Sequence, residues 1–305
     1  MRHQAIFKMP THTNHKFCVR CNCTKVDGDA LNYKSTGWNA AWREARREPY
    51  DWVTDSKNIC PLFGSPGFEE EFIIIGFLHC HDLGVTQDIL GNIFWEAVNW
   101  LGLPGSTMAQ RCKELWNILL DYFKQHTIPR EDQLQSLYIN HIKKETSAPK
   151  LKAKGKQTKY LVGFGLDVAK QLDIKWNTWH SQQVLLLIQS LNNIYINIDN
   201  QWDAVKCANW SEQVATCYQA LEQEALNTGS RFAWRIKPKL HMMQELHEYQ
   251  SFLVGNPKNH MEYKDESFCG EIATLATRRG GANTHASNAL GVMSRYRALL
   301  HMGAI

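Results

Sequence analysis

From Thr86 to Gly255 apolar residues return every three or four positions, in segment after segment, and this periodicity limits what the chain can become. Such spacing lays an apolar stripe along each of a series of helices, and those stripes must be buried against one another. Ile89, Leu90, Ile93, Phe94, Ala97, Val98 and Leu101 share one side of a first segment, with Thr86 as its N-cap and GLPG (102–105) as its stop. Ser106 is placed to cap a second helix carrying Met108, Cys112, Leu115, Leu119 and Tyr122, and a third spans 130–144. Helices are expected again over 160–173, 180–196 and 203–227, and over 233–255, which has a proline near its start and a glycine at its end. Another is expected over 266–277, followed by the turn RRGG (278–281) and the helical stretch ASNALGVMSRYRALL. Upstream, GWNAAWREARREP (37–49) sets Trp38, Ala41, Trp42 and Ala45 at helical spacing. No internal repeat is visible.

One stretch departs from this pattern. EFIIIGFL (71–78) is a β-branched and aromatic run suited to a strand buried on both faces, and its shortness and Gly76 argue against a helix. The fold class expected is mainly α with a small β component. At 305 residues the chain has room for one large domain or two smaller ones. Its 44% apolar content and eleven tryptophans exclude an intrinsically disordered chain. No run approaches the roughly 18–20 apolar residues of a membrane span, and MRHQAIFKMPTHTNHK lacks the apolar core of a secretory signal. Nine cysteines, an odd number, argue against a disulfide framework and for a reducing, intracellular compartment. The N-terminus runs almost at once into a cysteine cluster, as expected of a piece of a longer protein or a decayed gene product.

Four constellations carry chemistry. Cys18, Cys21 and Cys23, with His12 and His15 before them, can present two thiolates to one zinc ion from a knuckle turn. No second CxxC or HxxxH follows at finger spacing, so the other half must come from His12, His15, Cys23 or the distant His79, Cys80 and His81; free thiols on a loop are the plainer reading. HCHD (79–82) offers His79, His81 and Asp82 for metal ligation or proton transfer, or simply as backbone-bonding and helix-capping groups. In KPKLHMMQELHE (237–248), His241, Glu245 and Glu248 share one helical face without forming the zinc-protease pattern, and an ordinary amphipathic helix explains most of it. In YKDESFCGE (263–271), Asp265, Glu266 and Glu271 crowd a helix N-terminus, where the dipole favours negative charge or where a carboxylate could face a divalent metal. Between Lys143 and Lys159 seven lysines stand against one glutamate, which reads as a solvated linker or as a phosphate-contacting arm. The formal charge of +4 permits contact with a phosphate backbone without predicting it.

Taken in order, the CxxC knuckle, a tryptophan-rich stretch, a run ending in His79-x-x-x-Leu83-Gly84, WRIKPKLH (234–241, with Lys237, Lys239 and His241) and the acidic YKDESFCG resemble cut-and-paste DNA transposases. The kinds most similar are the CACTA (En/Spm-like) and Kyakuja–Dileera–Zisupton groups, and the resemblance covers most of residues 15–300. It implies a partial RNase H-like α/β core interrupted by a long helical insertion. Residues 1–69 would be an irregular cysteine-containing region, 70–105 a strand–helix piece of the core, 106–232 the insertion with its basic linker at 143–159, and 233–305 helices returning to the core. Such a core cuts DNA with two magnesium ions about 3.5–4 Å apart, held by three carboxylates. The family pattern has an aspartate three residues before the histidine, and here that position is Gly76, which offers no oxygen. Glu266 or Asp265 falls where the C-terminal glutamate is found, with Asp82 and His79 as residual candidates. A lone acid cannot hold two metal ions, so the resemblance implies a nuclear, transposase-derived protein without cleavage activity. DNA contact would pass through Lys150, Lys152, Lys154, Lys156, Lys159, Arg278, Arg279, Arg295 and Arg297. The alternatives are a helical interaction module with a structural zinc knuckle on Cys18, Cys21, Cys23 and His15, and an active metal-dependent nuclease that would need magnesium.

Overall fold

The computed structural model describes residues 15–47, 66, 73–144, 147–230, 233–261 and 263. It divides into a unit of residues 1–260, taken up below, and a second of residues 261–305 that lies almost wholly outside the described residues. The described chain is mainly helical and forms no sheet; among its residues the only β pairings are isolated bridges, Lys16 with Thr24, Cys21 with Arg46 and Thr24 with Asn32.

Six helices build the body: α1 (Thr86–Trp100), α2 (Met108–Gln125), α3 (Gly155–Trp176), α4 (Trp179–Asp199), α5 (Ala204–Asn227) and α6 (Pro238–Glu245). Helix α4 lies against both α3 and α5, and α1 packs on α3. Leu161, Ala169, Leu187, Ile188, Leu191, Ile194, Val214 and Leu221 are fully enclosed between them. Periodicity locates these helices well because each has an apolar stripe to bury. Their ends follow local chemistry. Thr107, not Ser106, caps α2 in a reciprocal box with Gln110. Asn177 adopts the left-handed conformation (φ 44°) that turns α3 into α4.

The expected strand is not a strand. Residues 73–76 have no regular structure, and the chain enters a π-helical segment, Leu78–Val85, which runs directly into α1. Gln250 supplies what a neighbouring strand would have given. Its side-chain oxygen accepts the Ile75 N–H at 2.9 Å and its Nε2 donates to the Ile73 carbonyl at 3.1 Å. Gly76 therefore stands at a helix entrance, its carbonyl accepting the Cys80 N–H at 3.0 Å. Thr86 caps nothing, because the backbone before it is already helical; its hydroxyl bonds Tyr195 at 2.9 Å.

Three other expectations change. Within its described residues, 37–47, GWNAAWREARREP forms only a 3-10 turn, Ala41–Arg43, because backbone bonds from Asn22 to Ala45 and from Arg47 to Arg20 hold the following residues against the cysteine knuckle. The helix expected over 130–144 is reduced to the turns Arg130–Asp132 and Ile139–Ile142. The lysine-rich stretch is not a linker: Leu151 is fully buried, its N–H bonds the Gln87 carbonyl at 2.8 Å, and α3 begins at Gly155. The segment 233–255 is helical from Pro238, passing through a π turn, Leu246–Gln250, into Ser251–Val254. The helices expected over 266–277 and beyond lie outside the described residues.

Candidate metal centre

Proline at the first position of α6 fixes where that helix starts, and one turn on it presents His241 and Glu245 on the same face. That face meets the knuckle of residues 18–21, where the Arg20 N–H donates to Cys18 Sγ at 3.3 Å. Cys21 Sγ lies 3.4 Å from His241 Nε2, which is 3.7 Å from Glu245 Oε1. The ligand atoms of Cys18, Cys21, His241 and Glu245 all fall within 4.8 Å of one another, and all four residues are buried. A tetrahedral ion with sulfur at about 2.3 Å and nitrogen at about 2.0 Å separates its ligands by about 3.3–3.8 Å, so the cluster could hold a metal with little adjustment. Among the described residues it is the only gathering of three or more such groups.

The surroundings hold the donors in place. Arg46 forks onto Glu245 with two bonds of 2.9 Å and lies 4.2 Å over the Tyr249 ring. The Cys21–Arg46 bridge sets that side chain in position. Trp42, fully buried, meets the His241 ring edge-on at 4.4 Å, and Phe17 does so at 5.6 Å. Arg43 pairs with Glu248, and Gln244 Nε2 donates to the Thr36 carbonyl at 2.9 Å, so the segment around the knuckle is docked on α6 and the π turn after it.

Burial pushes the Cys18 and Cys21 thiols up, so without a cation both stay protonated near neutral pH. Burial alone would depress His241, but Cys18 and Glu245 outweigh it and raise it. A divalent ion reverses the balance. Two thiolates and the Glu245 carboxylate carry three negative charges, which a dication and the Arg46 guanidinium cancel. The buried His241 Nδ1 has no hydrogen-bond partner, which leaves the ring held by Nε2 and by packing.

Half of this set was visible beforehand. Cys18 and Cys21 belong to it. Cys23 is buried beside them but outside the group, its thiol turned to the Thr24 carbonyl at 4.0 Å, and His15 is exposed. The missing half is the His241–Glu245 pair, and the signal for it was an i, i+4 pair of donors on a helix in a chain whose CxxC lacked a partner.

Of the residual catalytic candidates, the structure describes Asp82 and His79. Asp82 is buried and accepts the Tyr195 hydroxyl at 2.5 Å. His79 is half-buried on the π segment, while its neighbour His81 stacks on Phe77 and meets His247 at 2.7 Å between Nε2 atoms. Asp265 and Glu266 lie outside the described residues, as do Arg278, Arg279, Arg295 and Arg297. Of the lysines, Lys152, Lys154 and Lys156 are exposed; Lys156 also pairs with Asp132 at 3.4 Å and Lys159 with Asp199 at 2.7 Å. Lys150 donates to the Leu83 carbonyl at 3.1 Å, Lys237 pairs with Asp88 at 2.6 Å, and Lys239 donates to Leu83 at 3.0 Å.

The chain matches no family model, no curated protein and no solved structure. No helix among the described residues is long and apolar enough to cross a membrane.

Proposed function

We propose that this chain is a helical interaction module stapled by one structural zinc ion, held by Cys18, Cys21 and His241 with Glu245 as the fourth donor. The observation that carries the reading is the meeting of four buried donors from two segments more than 200 residues apart, with Arg46 paired to Glu245. Four protein ligands close the coordination sphere, so the ion would serve folding and supply no catalysis. Zinc fits a mixed sulfur, nitrogen and oxygen donor set of this size. Protein purified without chelator should carry about one zinc per chain, and cobalt substitution should give the visible absorption of a tetrahedral thiolate site. Cys18→Ser and His241→Ala should each abolish both. A metal-free preparation that ignores added cobalt and melts at the same temperature in chelator would retire the proposal.

A second reading, that the chain derives from a transposase and has lost cleavage, is favoured by one further observation. Among the described residues, three of the segments that carry the resemblance meet. His241 of WRIKPKLH meets Cys21, Lys239 reaches the Leu83 carbonyl, and the Cys80 thiol faces the Lys239 carbonyl at 3.6 Å. In this reading the lysines serve DNA contact in a nucleus, and an RNase H-like core would have to be completed outside the described residues. Incubation of supercoiled DNA with magnesium or manganese should produce no nicks; nicking that Glu266→Gln abolishes would restore the active-nuclease alternative.

A further inference from the structure

Two basic segments far apart in sequence form the walls of one cleft of about 860 Å³. Lys144, Lys150 and Lys152 line one side and Arg235, Lys237 and Pro238 the other; among the described residues five of the lining side chains are cationic and none is a carboxylate. Asp88, buried beside the cleft, pairs with two of these lysines. Lys237 Nζ lies 2.6 Å from its Oδ1 and Lys150 Nζ 3.9 Å. Lys150 and Lys239 also donate to the same Leu83 carbonyl, at 3.1 and 3.0 Å. Among the described residues, three ammonium groups thus gather around the one carboxylate of Asp88.

Such a cluster repels itself and persists only where the fold holds it. Two glycines admit it. A Cβ on Gly91 would come 2.5 Å from the Lys150 Cα, and one on Gly84 would come 2.6 Å from the Lys239 side chain. Burial, with the neighbouring lysines opposing the charge as well, lowers Lys150 and Lys239 below the usual ammonium range. The entrance of α6 at Lys237 and Pro238 adds the positive end of a helix dipole to the wall. An anion would relieve all of these at once, and spaced cations in a walled cleft suit a chain of phosphoryl oxygens.

We propose that this cleft is a binding site for phosphoryl anions, taken either from a small diphosphate-type ligand or from a nucleic-acid backbone. The site is independent of the zinc reading; in its polymer form it deepens the second reading and rests on it. The test uses the full chain with its metal content measured in every sample, so failure of the zinc staple and failure of the anion site are told apart. Inorganic pyrophosphate is titrated by calorimetry and a fluorescent oligothymidylate by anisotropy, both at low salt. The paired rim variant Lys152→Glu with Arg235→Glu alters two exposed side chains, and Lys170→Glu on the exposed face of α3 is the control. Binding should weaken at least about tenfold in the rim variant, at unchanged melting temperature, and stay unchanged in the control. Binding of pyrophosphate alone assigns a small ligand, and binding of the oligonucleotide, alone or with pyrophosphate, assigns the polymer. Absence of both, or binding indifferent to the rim charges, overturns the site.

Discussion

His180 shows how a single side chain in this protein can set a pH dependence. Its Nε2 lies 2.9 Å from Glu96, its Nδ1 bonds Glu224, and Glu96 also accepts the Trp234 indole N–H at 2.6 Å. Burial works against the imidazolium, but the two carboxylates outweigh it and raise His180 to about 9. A folded pKa above the unfolded one means the stabilisation is full below about pH 6.5 and is lost as pH rises through about 9. Its size should be on the order of 2 kcal/mol, less than the whole shift implies because Glu224 is a third exposed and screened by solvent. Urea denaturation at about pH 6 and about pH 9.5 should show this loss in the natural protein, and His180→Gln should remove most of the difference; equal pH sensitivity in the two would refute the assignment. Gly84 makes the complementary point about space. A Cβ there would lie 2.9 Å from the His79 carbonyl oxygen as well as against Lys239, so Gly84→Ala should cost about 1–3 kcal/mol in the same denaturation experiment. A neutral result would mean that the π segment shifts freely to make room.

At the scale of elements, what could be read from the sequence was whatever repeats locally. Five of the six helices announce themselves through stripes of residues such as Leu187, Leu191 and Ile194, because an apolar face three or four residues apart has one sensible use. EFIIIGFL misled for a physical reason. Periodicity cannot tell a short buried strand from a short buried helix entrance, and what decides here is a glutamine more than 170 residues away. The same holds for the 37–49 region, whose helical spacing loses to backbone pairing with the knuckle, and for the lysine stretch, whose composition hides Leu151 at full burial. Gln250 is therefore the residue to remove. Gln250→Ala deletes the acceptor of the Ile75 N–H and the donor to the Ile73 carbonyl, leaving a buried backbone group unpaired at a cost of about 1–3 kcal/mol. Hydrogen exchange should locate the effect. The Ile75 amide should lose protection while amides in the middle of α4 keep theirs, unless the segment is held by something other than this side chain.

For the whole molecule the open issue is what joins the irregular N-terminal segment to the helices. Residues 15–47 have almost no regular structure of their own and reach the body through α5, α6 and the residues flanking α6: Tyr33 to the Ile236 carbonyl at 3.4 Å, Thr36 to Gln219 at 2.6 Å, Arg43 to Glu248, Arg46 to Glu245 and the cysteines to His241. These are polar contacts, each worth about 0.5–3 kcal/mol after competition with water, the ion pairs at the upper end. A structural zinc ion contributes on the order of 10 kcal/mol in small domains, so the ion would dominate the junction. Half of the site was legible as the Cys18–Cys21 pair, although free thiols were its plainer reading; His241 and Glu245 stood out as donors on one helical face, but nothing in the sequence joined them to a knuckle more than 200 residues away. The helices α1 to α5 bury their stripes against each other without help from the knuckle. Removing the metal should consequently detach one part and spare the other. In strong chelator, limited proteolysis should begin within residues 15–47, while far-ultraviolet circular dichroism falls by less than about a tenth, the segment having little helix to lose. Restoring zinc should restore resistance. Simultaneous loss of helical signal would show that the ion supports the whole unit rather than one junction, and unchanged proteolysis would show that the aromatic and ionic contacts around Trp42 suffice without it.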